Sequence, residues 1–263
     1  MSLIIIHPGL YTSIQDEGRI EGMPQGIPIS GAMDLHLYRF ANQVLHNKEN
    51  LACIEFYQQG LKLNFEHPTF VCVAALAATI FLNDTKVEPN CSLNIKTGDQ
   101  LIIKELIEGS WGYLAVKGGI ESQSFLGSQS FYKALNARTP KKNDRLNFPS
   151  FEDKSGGDEP PQLNMDYYSQ TVLEVYKGPE FHKLNQTLQY QLVNAELTLS
   201  SSQNRMAYQV QERLGNDLDE MVTGPVLPGT VQFTPQGKML VLMRDAQVTG
   251  GYPRILQLSD KAI

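Results

Sequence analysis

The chain reads as a mainly β protein (α+β) of the barrel or sandwich kind, laid out as two similar β-rich subdomains with one main helix each. Three observations carry that reading. Short runs rich in β-branched and aromatic residues recur from Leu61 to Val116 and again beyond Val172, each closed by Gly, Pro, Asn or Asp. Apolar residues repeat at the helical period in one stretch of each half. Between the halves, Ala137 to Pro161 turns polar, with Lys141-Lys142-Asn143-Asp144-Arg145 and then Lys154-Ser155-Gly156-Gly157-Asp158-Glu159-Pro160-Pro161. Such a stretch builds no core and marks a boundary. The expected division is an N-terminal subdomain over 1–150, a linker over 151–165 and a C-terminal subdomain over 166–263.

At 263 residues, 41% hydrophobic and 19% charged, the chain has the composition of an ordinary globular protein. A net charge of −6 and the lack of a basic cluster argue against nucleic acid or an anionic membrane as the main partner. The longest apolar run, Phe70 to Leu82, is too short to span a bilayer, and the Met1 to Pro8 start has no cationic lead of a signal peptide. These features predict a soluble, cytoplasmic protein. Cys53, Cys72 and Cys91 form no C-x-x-C pair and sit in apolar runs, so they read as reduced core residues.

In chain order, Leu3 to Ile6 reads as a strand stopped by Pro8-Gly9. The following polar stretch offers an amide, a carboxylate and a guanidinium within five residues, Gln15, Asp16 and Arg19. It is either a ligand-binding loop or a self-satisfied Asp–Arg turn. Asp34 suits the N-cap of a helix whose stripe is Leu37, Phe40, Ala41, Val44 and Leu45, ended by Asn47 in the left-handed conformation. His36 and His46 fall on its solvated side. Glu55, set among apolar residues of a strand, is expected to be paired with a base or edge-exposed. Leu61 to Phe65 alternates, Phe70 to Leu82 holds one or two buried strands, and Trp111 to Val116 ends at the tandem glycines Gly118-Gly119. In the second half, Val172 to Tyr176 reads as a strand, and a helix starting at Pro179 carries Phe181, Leu184, Leu188 and Leu192. Strands follow at Leu197 to Ser200, Gly229 to Thr234 and Met239 to Met243. The last runs into Asp245, Gln247 and Thr249, which alternate onto one face if extended, and the glycine pair Gly250-Gly251.

Several chemistries lack their signatures. No Walker A sequence, G-x-G-x-x-G or G-x-S-x-G occurs, and His7, His36, His46, His67 and His182 show no metal-ligand spacing, so no metal site is expected. What remains is polar clusters beside glycines: Gln15/Asp16/Arg19, Ser30/Asp34, Gly118-Gly119, Gly127-Ser128, Asn204-Arg205, Gln232 and Asp245/Gln247/Thr249. They suit a small amide-like or carboxylated ligand.

These clusters are collinear with one family. Gly9-Leu10-Tyr11-Thr12-Ser13-Ile14-Gln15-Asp16-Glu17-Gly18-Arg19, Gly26 to Asp34, Tyr113 to Ile120, Leu126-Gly127-Ser128, Gly178-Pro179-Glu180, Ser202 to Met206, Pro228 to Gln232 and Asp245 to Pro253 resemble the biotin-dependent carboxyltransferase-like proteins. That family, also called allophanate hydrolase subunit 2, includes the 5-oxoprolinase C subunit, and an antagonist of a sporulation-kinase inhibitor. The resemblance implies two cyclophilin-like β-barrel subdomains. It implies action with B-like and A-like partner proteins of the same enzyme, and ATP used through the complex, to convert 5-oxoproline to glutamate. An alternative within the fold is a carboxyltransferase half moving CO₂ from carboxybiotin to urea or a similar amide, and a third is a non-catalytic regulator that binds a kinase inhibitor.

On this resemblance Asp16 and Asp245 are the candidate catalytic carboxylates. Gln15, Arg19, Ser30, Asn204, Arg205, Gln232, Gln247, Thr249, Gly250, Gly251 and Tyr252 are the candidate substrate-binding residues, brought together across the subdomain cleft. Gly118 and Gly119 are the candidate close-approach glycines. The chain departs from the family at Ala74-Ala75-Leu76, at Lys133 to Asn143, at Ala207, where a glycine is usual, and at Gln209, where an arginine is usual. It also stops at Ile263, where relatives continue through another strand or two.

Overall fold

The computed structural model describes residues 1–135, 139–150, 161–215 and 218–263. They divide into two compact units, Met1–Arg19 with Ser30–Tyr168, and Ile20–Ile29 with Ser169–Ile263. Most of the expected linker, 151–160, lies outside the described residues, as do 136–138 of the departing segment Lys133 to Asn143.

The first unit contains strands β1 (Ser2–Pro8), β2 (Tyr11–Gln15), β3 (Cys53–Tyr57), β4 (Gln59–Phe65), β5 (Thr69–Ala74) and β6 (Ala77–Leu82). It continues through β7 (Thr85–Val87), β8 (Ser92–Ile95), β9 (Gln100–Glu108), β10 (Trp111–Val116) and β11 (Arg145–Asn147), with one α-helix, α1 (Leu35–Val44). The strands form two sheets, β11-β1-β4-β9-β6-β7 and β2-β3-β10-β5-β8. The chain changes sheet at Pro8-Gly9 between β1 and β2, and at Ala75-Leu76 between β5 and β6, where the Asn90 side chain bonds both backbone groups of Ala75. The apolar run from Phe70 to Leu82 is therefore two strands in different sheets.

Leu3, Ile5, Leu63 and Phe65 of one sheet pack with Ile54, Phe56, Val73 and Leu114 of the other in one buried cluster. The opposite face of the second sheet is covered by α1, whose Leu37, Tyr38 and Ala41 pack with Cys53, Cys72, Tyr113 and Ala115. A sheet buried on both faces needs apolar residues at successive positions, which explains the unbroken apolar runs. The expected β character holds, but no ladder closes on itself among the described residues, so the unit is an antiparallel sandwich rather than a closed barrel. Cys53 and Cys72 lie on the two strands that flank β10, about 10 Å apart at two strand spacings. That is beyond disulfide reach.

Asp34 caps α1 as expected, accepting from the Leu37 amide at 2.9 Å. Tyr168 also donates to it, at 2.9 Å. Burial pushes the Asp34 carboxyl upward, against the pull of these two donors. The left-handed residue after the helix is His46 (φ 49), not Asn47. Asn47 serves another purpose. Its side chain reaches the Val116 carbonyl and the Gly118 amide, tying the helix end to the turn after β10. His46 is exposed as expected, but His36 is half-buried and stacks on Tyr167 with ring centres 4.6 Å apart. Glu55 is completely buried rather than edge-exposed, accepting from the Met33 amide (2.8 Å) and the Tyr113 hydroxyl (2.9 Å).

In the second unit, β12 (Val175–Lys177), α2 (Gln186–Asn194), β13 (Leu199–Gln203), β14 (Ala207–Arg213) and β15 (Gly224–Pro225) are followed by β16 (Thr230–Phe233), β17 (Lys238–Leu242), β18 (Thr249–Gly250) and β19 (Arg254–Leu258). The main sheet runs β12-β19-β16-β17-β14-β13, and β15 pairs with β18. The helix begins later than Pro179. A single 3₁₀ turn over Phe181–Lys183 ends at Leu184 in an extended conformation, and Asn185 then caps α2 by accepting from the Leu188 amide. The predicted stripe still faces the core, with Phe181, Leu184 and Leu192 buried among Val231, Phe233 and Ile255.

Candidate functional site

In the first unit, Asp16 follows the end of β2 and is 7% exposed. One oxygen accepts from the Gly18 amide (2.8 Å) and the Ser128 and Ser130 hydroxyls (2.6 and 2.5 Å); the other accepts from the Gln129 amide (2.6 Å). Arg19, 1% exposed, donates to the Phe125 and Ser130 carbonyls. The two residues thus grip the same loop from one side. The self-satisfied Asp–Arg turn is replaced by a clamp. It holds a tight turn, Phe125 to Ser128, whose central Leu126 (φ 49) and Gly127 (φ 75) are both left-handed, a conformation unfavourable for leucine.

Gln15 is completely buried and donates to the Ser13 hydroxyl at 3.0 Å, while its side-chain oxygen meets no partner among the described residues. Ser30 is also completely buried, left-handed (φ 54), and its hydroxyl is likewise without a partner there. Gly118 and Gly119 (both φ 84) face protein: a Cβ on Gly118 would stand 2.6 Å from Pro149, and one on Gly119 3.0 Å from Leu51. Their glycine requirement is met by the turn and its packing.

In the second unit, Arg205 (6% exposed) and Asp245 (9% exposed) form a two-point ion pair at 2.8 and 2.9 Å. Such geometry fixes both planes. Both candidate catalytic carboxylates, Asp16 and Asp245, therefore have their oxygens occupied by donors. The expected shared face of Asp245, Gln247 and Thr249 does not form, because β17 ends at Leu242 and Arg244-Asp245 make a turn. Asp245 turns inward while Gln247 and Thr249 are exposed and Tyr252 is half-buried. Asn204 uses its side-chain oxygen to accept from the Met206 and Ala207 amides, starting β14. Gln232 is 1% exposed, and its amide nitrogen has no partner among the described residues. A Cβ on Gly250 would stand 2.2 Å from that nitrogen, whereas Gly251 meets nothing closer than 3.4 Å. Position 250 therefore has no room for a side chain beside Gln232, whereas position 251 is more open.

Sequence reasoning missed a second buried ion pair. Glu180 accepts from Arg254 at three nitrogens: Nε, Nη2 and the main-chain N–H, each at 2.9 Å. The spacing of 74 positions in sequence hides it, although Glu180 sits in a family segment. Arg254 holds the Glu180 carboxyl below its ordinary value of 4.5. A lowered folded-state value means the pair stabilises the fold above that ordinary value and is lost as pH falls through the folded one. Glu180→Gln is expected to cost about 2 kcal/mol near neutrality. In urea unfolding across a pH series, the gap between wild type and variant should narrow as the solution is acidified below 4.5. A gap independent of pH would remove the ion pair from the account.

Residues 25–263 match the model of the carboxyltransferase domain, subdomain A and B. The chain is 34% identical to the 5-oxoprolinase C subunit of Escherichia coli (strain K12) over 260 residues, 96% of this chain and 83% of that protein. It is 36% identical to the urea amidolyase of Lachancea kluyveri over 133 residues, 50% of this chain and 7% of that protein. The crystal structure of TTHA0988 superposes with a TM-score of 0.87 at 26% identity, covering 99% of this chain, which spans about half (52%) of that one. Among the described residues no helix is long and apolar enough to cross a membrane. With a family model spanning almost its whole length and a collinear relative above 30% identity, the chain belongs to the carboxyltransferase-domain family, subdomains A and B.

Proposed function

We propose that this chain is the C component of a 5-oxoprolinase, acting with B-like and A-like partner proteins to open 5-oxoproline to glutamate at the expense of ATP. The observation that carries the reading is the similarity to the 5-oxoprolinase C subunit over 96% of this chain. The reaction breaks the lactam C–N bond; one water supplies the new carboxylate oxygen and its two hydrogens complete the ammonium group, while a second water accounts for the conversion of ATP to ADP and phosphate. Hydrogen-bond donors aimed at the carbonyl oxygen would stabilise the charge that develops there. Asp16 and Asp245 act in this reading as positioning residues, each carboxylate oxygen accepting at least one hydrogen bond from a fixed protein donor. Nucleotide binding falls to another protein of the complex, since the chain has no phosphate-cradling motif.

The test is to co-express the chain with its genomic neighbours, purify the complex and measure glutamate released from 5-oxoproline with and without ATP. Nucleotide-dependent release is expected; an intact complex of all three proteins without turnover would sink the proposal. A second reading, a carboxyltransferase half acting on urea with biotin, draws on the urea amidolyase match, which spans only 50% of this chain. Avidin-sensitive carboxylation of urea would select it instead.

A further inference from the structure

The clamp made by Asp16 and Arg19 lies beside a concavity whose amide residues stand in no family motif. Beside the loop they hold lies a cavity of about 480 Å³ whose lining includes the apolar Ile14, Phe131 and Leu146 and the amide residues Gln123, Gln129 and Asn143. The Gln129 main chain is fixed by Asp16, and its side-chain oxygen accepts from the Ser122 amide at 2.7 Å and hydroxyl at 3.2 Å. That pairing sets the orientation of the amide group, because only its oxygen can meet a main-chain N–H. The Gln129 amide nitrogen is left without a protein partner among the described residues, as are the side chains of Gln123 and Asn143.

Charged groups at the rim are already engaged. Arg145 makes a two-point pair with Glu66, at 2.7 and 2.6 Å, and Asp144 accepts from the Lys141 amide at 2.7 Å. An apolar floor with convergent uncharged donors and acceptors is the usual make-up of a small-molecule site. We propose that this cavity binds a small, uncharged amide edge, the lactam C(=O)–N–H of the substrate, with the Gln129 nitrogen donating to the carbonyl and a Gln123 or Asn143 oxygen accepting from the N–H. This deepens the preceding reading and rests on it for the identity of the lactam. Asp16 and Arg19 then act at a distance, as residues that position Gln129.

The experiment is an NMR titration of the ¹⁵N-labelled full chain with 2-pyrrolidinone, 5-oxoproline and N-methyl-2-pyrrolidinone. Saturable shifts are expected in residues 122–131 and 139–146. The uncharged lactam should bind within about threefold of 5-oxoproline, and the N-methyl compound about tenfold more weakly for want of its N–H. Of Gln123→Leu and Asn143→Gly, both at exposed positions, the one that removes the accepting oxygen should weaken 2-pyrrolidinone about tenfold while leaving resonances elsewhere in place. Glycine suits position 143, where φ is 70°. Shifts confined to other residues, no saturable shift at all, or full affinity in both variants would overturn the inference. Turnover by the reconstituted complex without lactam binding here would remove this site alone, whereas lactam binding here without turnover would remove the proposed function and leave the site.

Discussion

Arg205→Ala is expected to destabilise the second unit by about 3–5 kcal/mol, because it leaves Asp245 as an unpaired buried charge. Both partners are at most 9% exposed, and the two bonds of 2.8 and 2.9 Å leave no slack for water to replace the guanidinium. Asp245→Ala should cost a similar amount by removing the carboxylate that neutralises the buried Arg205 guanidinium. The double variant should cost clearly less than the sum, since the second substitution removes the charge that the first left stranded. Arg205→Lys should recover only part of the loss, as an ammonium cannot make the planar two-point contact. Urea unfolding followed by circular dichroism would measure all four. A loss below about 1 kcal/mol in Arg205→Ala would class the pair with exposed ion pairs and undo its role as anchor of the 244–253 segment.

Asp16→Ala is the second large effect, about 3–5 kcal/mol, through loss of the acceptor that gathers Gly18, Ser128, Gln129 and Ser130. Asp16→Asn is the more telling variant. Its two oxygens each face a main-chain N–H, Gly18 on one side and Gln129 on the other, and a main-chain donor cannot reverse as a hydroxyl can. Whichever way the asparagine amide turns, its NH₂ opposes a donor. Asparagine should therefore lose about 2–3 kcal/mol despite its matching shape. Stability within about 0.5 kcal/mol of wild type would show that the clamp does not depend on the charge. Protease cleavage in the 122–131 loop, slow in wild type, should accelerate in both variants, which ties the stability change to that loop.

Local patterns sufficed for much of the fold. The Asp34 cap and the Leu37 to Leu45 stripe produce α1, because capping and amphipathic spacing act within a few residues. The strand at Met239 and the break at Pro8-Gly9 follow from the same short-range chemistry, whereas the break at Ala75 is held by the side chain of Asn90, 15 positions away. The helix start near Pro179 failed for a local reason too: Asn185 is a stronger cap than proline is a starter, and it lies further along the chain. The fully buried Glu55 escaped sequence reasoning because its partners, Met33 and Tyr113, come from segments 22 and 58 positions away.

The sequence by itself determined the mainly antiparallel β character, the pair of helices, the apolar positions of the first core and, through collinear motifs, the family. Only the tertiary structure decided what the polar motif residues do. Asp16, Arg19, Arg205 and Asp245 are the right residue types for binding or proton transfer, and nothing in their spacing separates those roles from scaffolding. The difference lies in which donors surround each carboxylate: besides the neighbouring Gly18 amide, those of Asp16 come from 112–114 positions away, and those of Asp245 from 40. The same is true of the amide-lined cavity: Gln123, Gln129 and Asn143 stand in no motif, and they converge because the Asp16 clamp and the β1–β11 pairing bring their loops side by side.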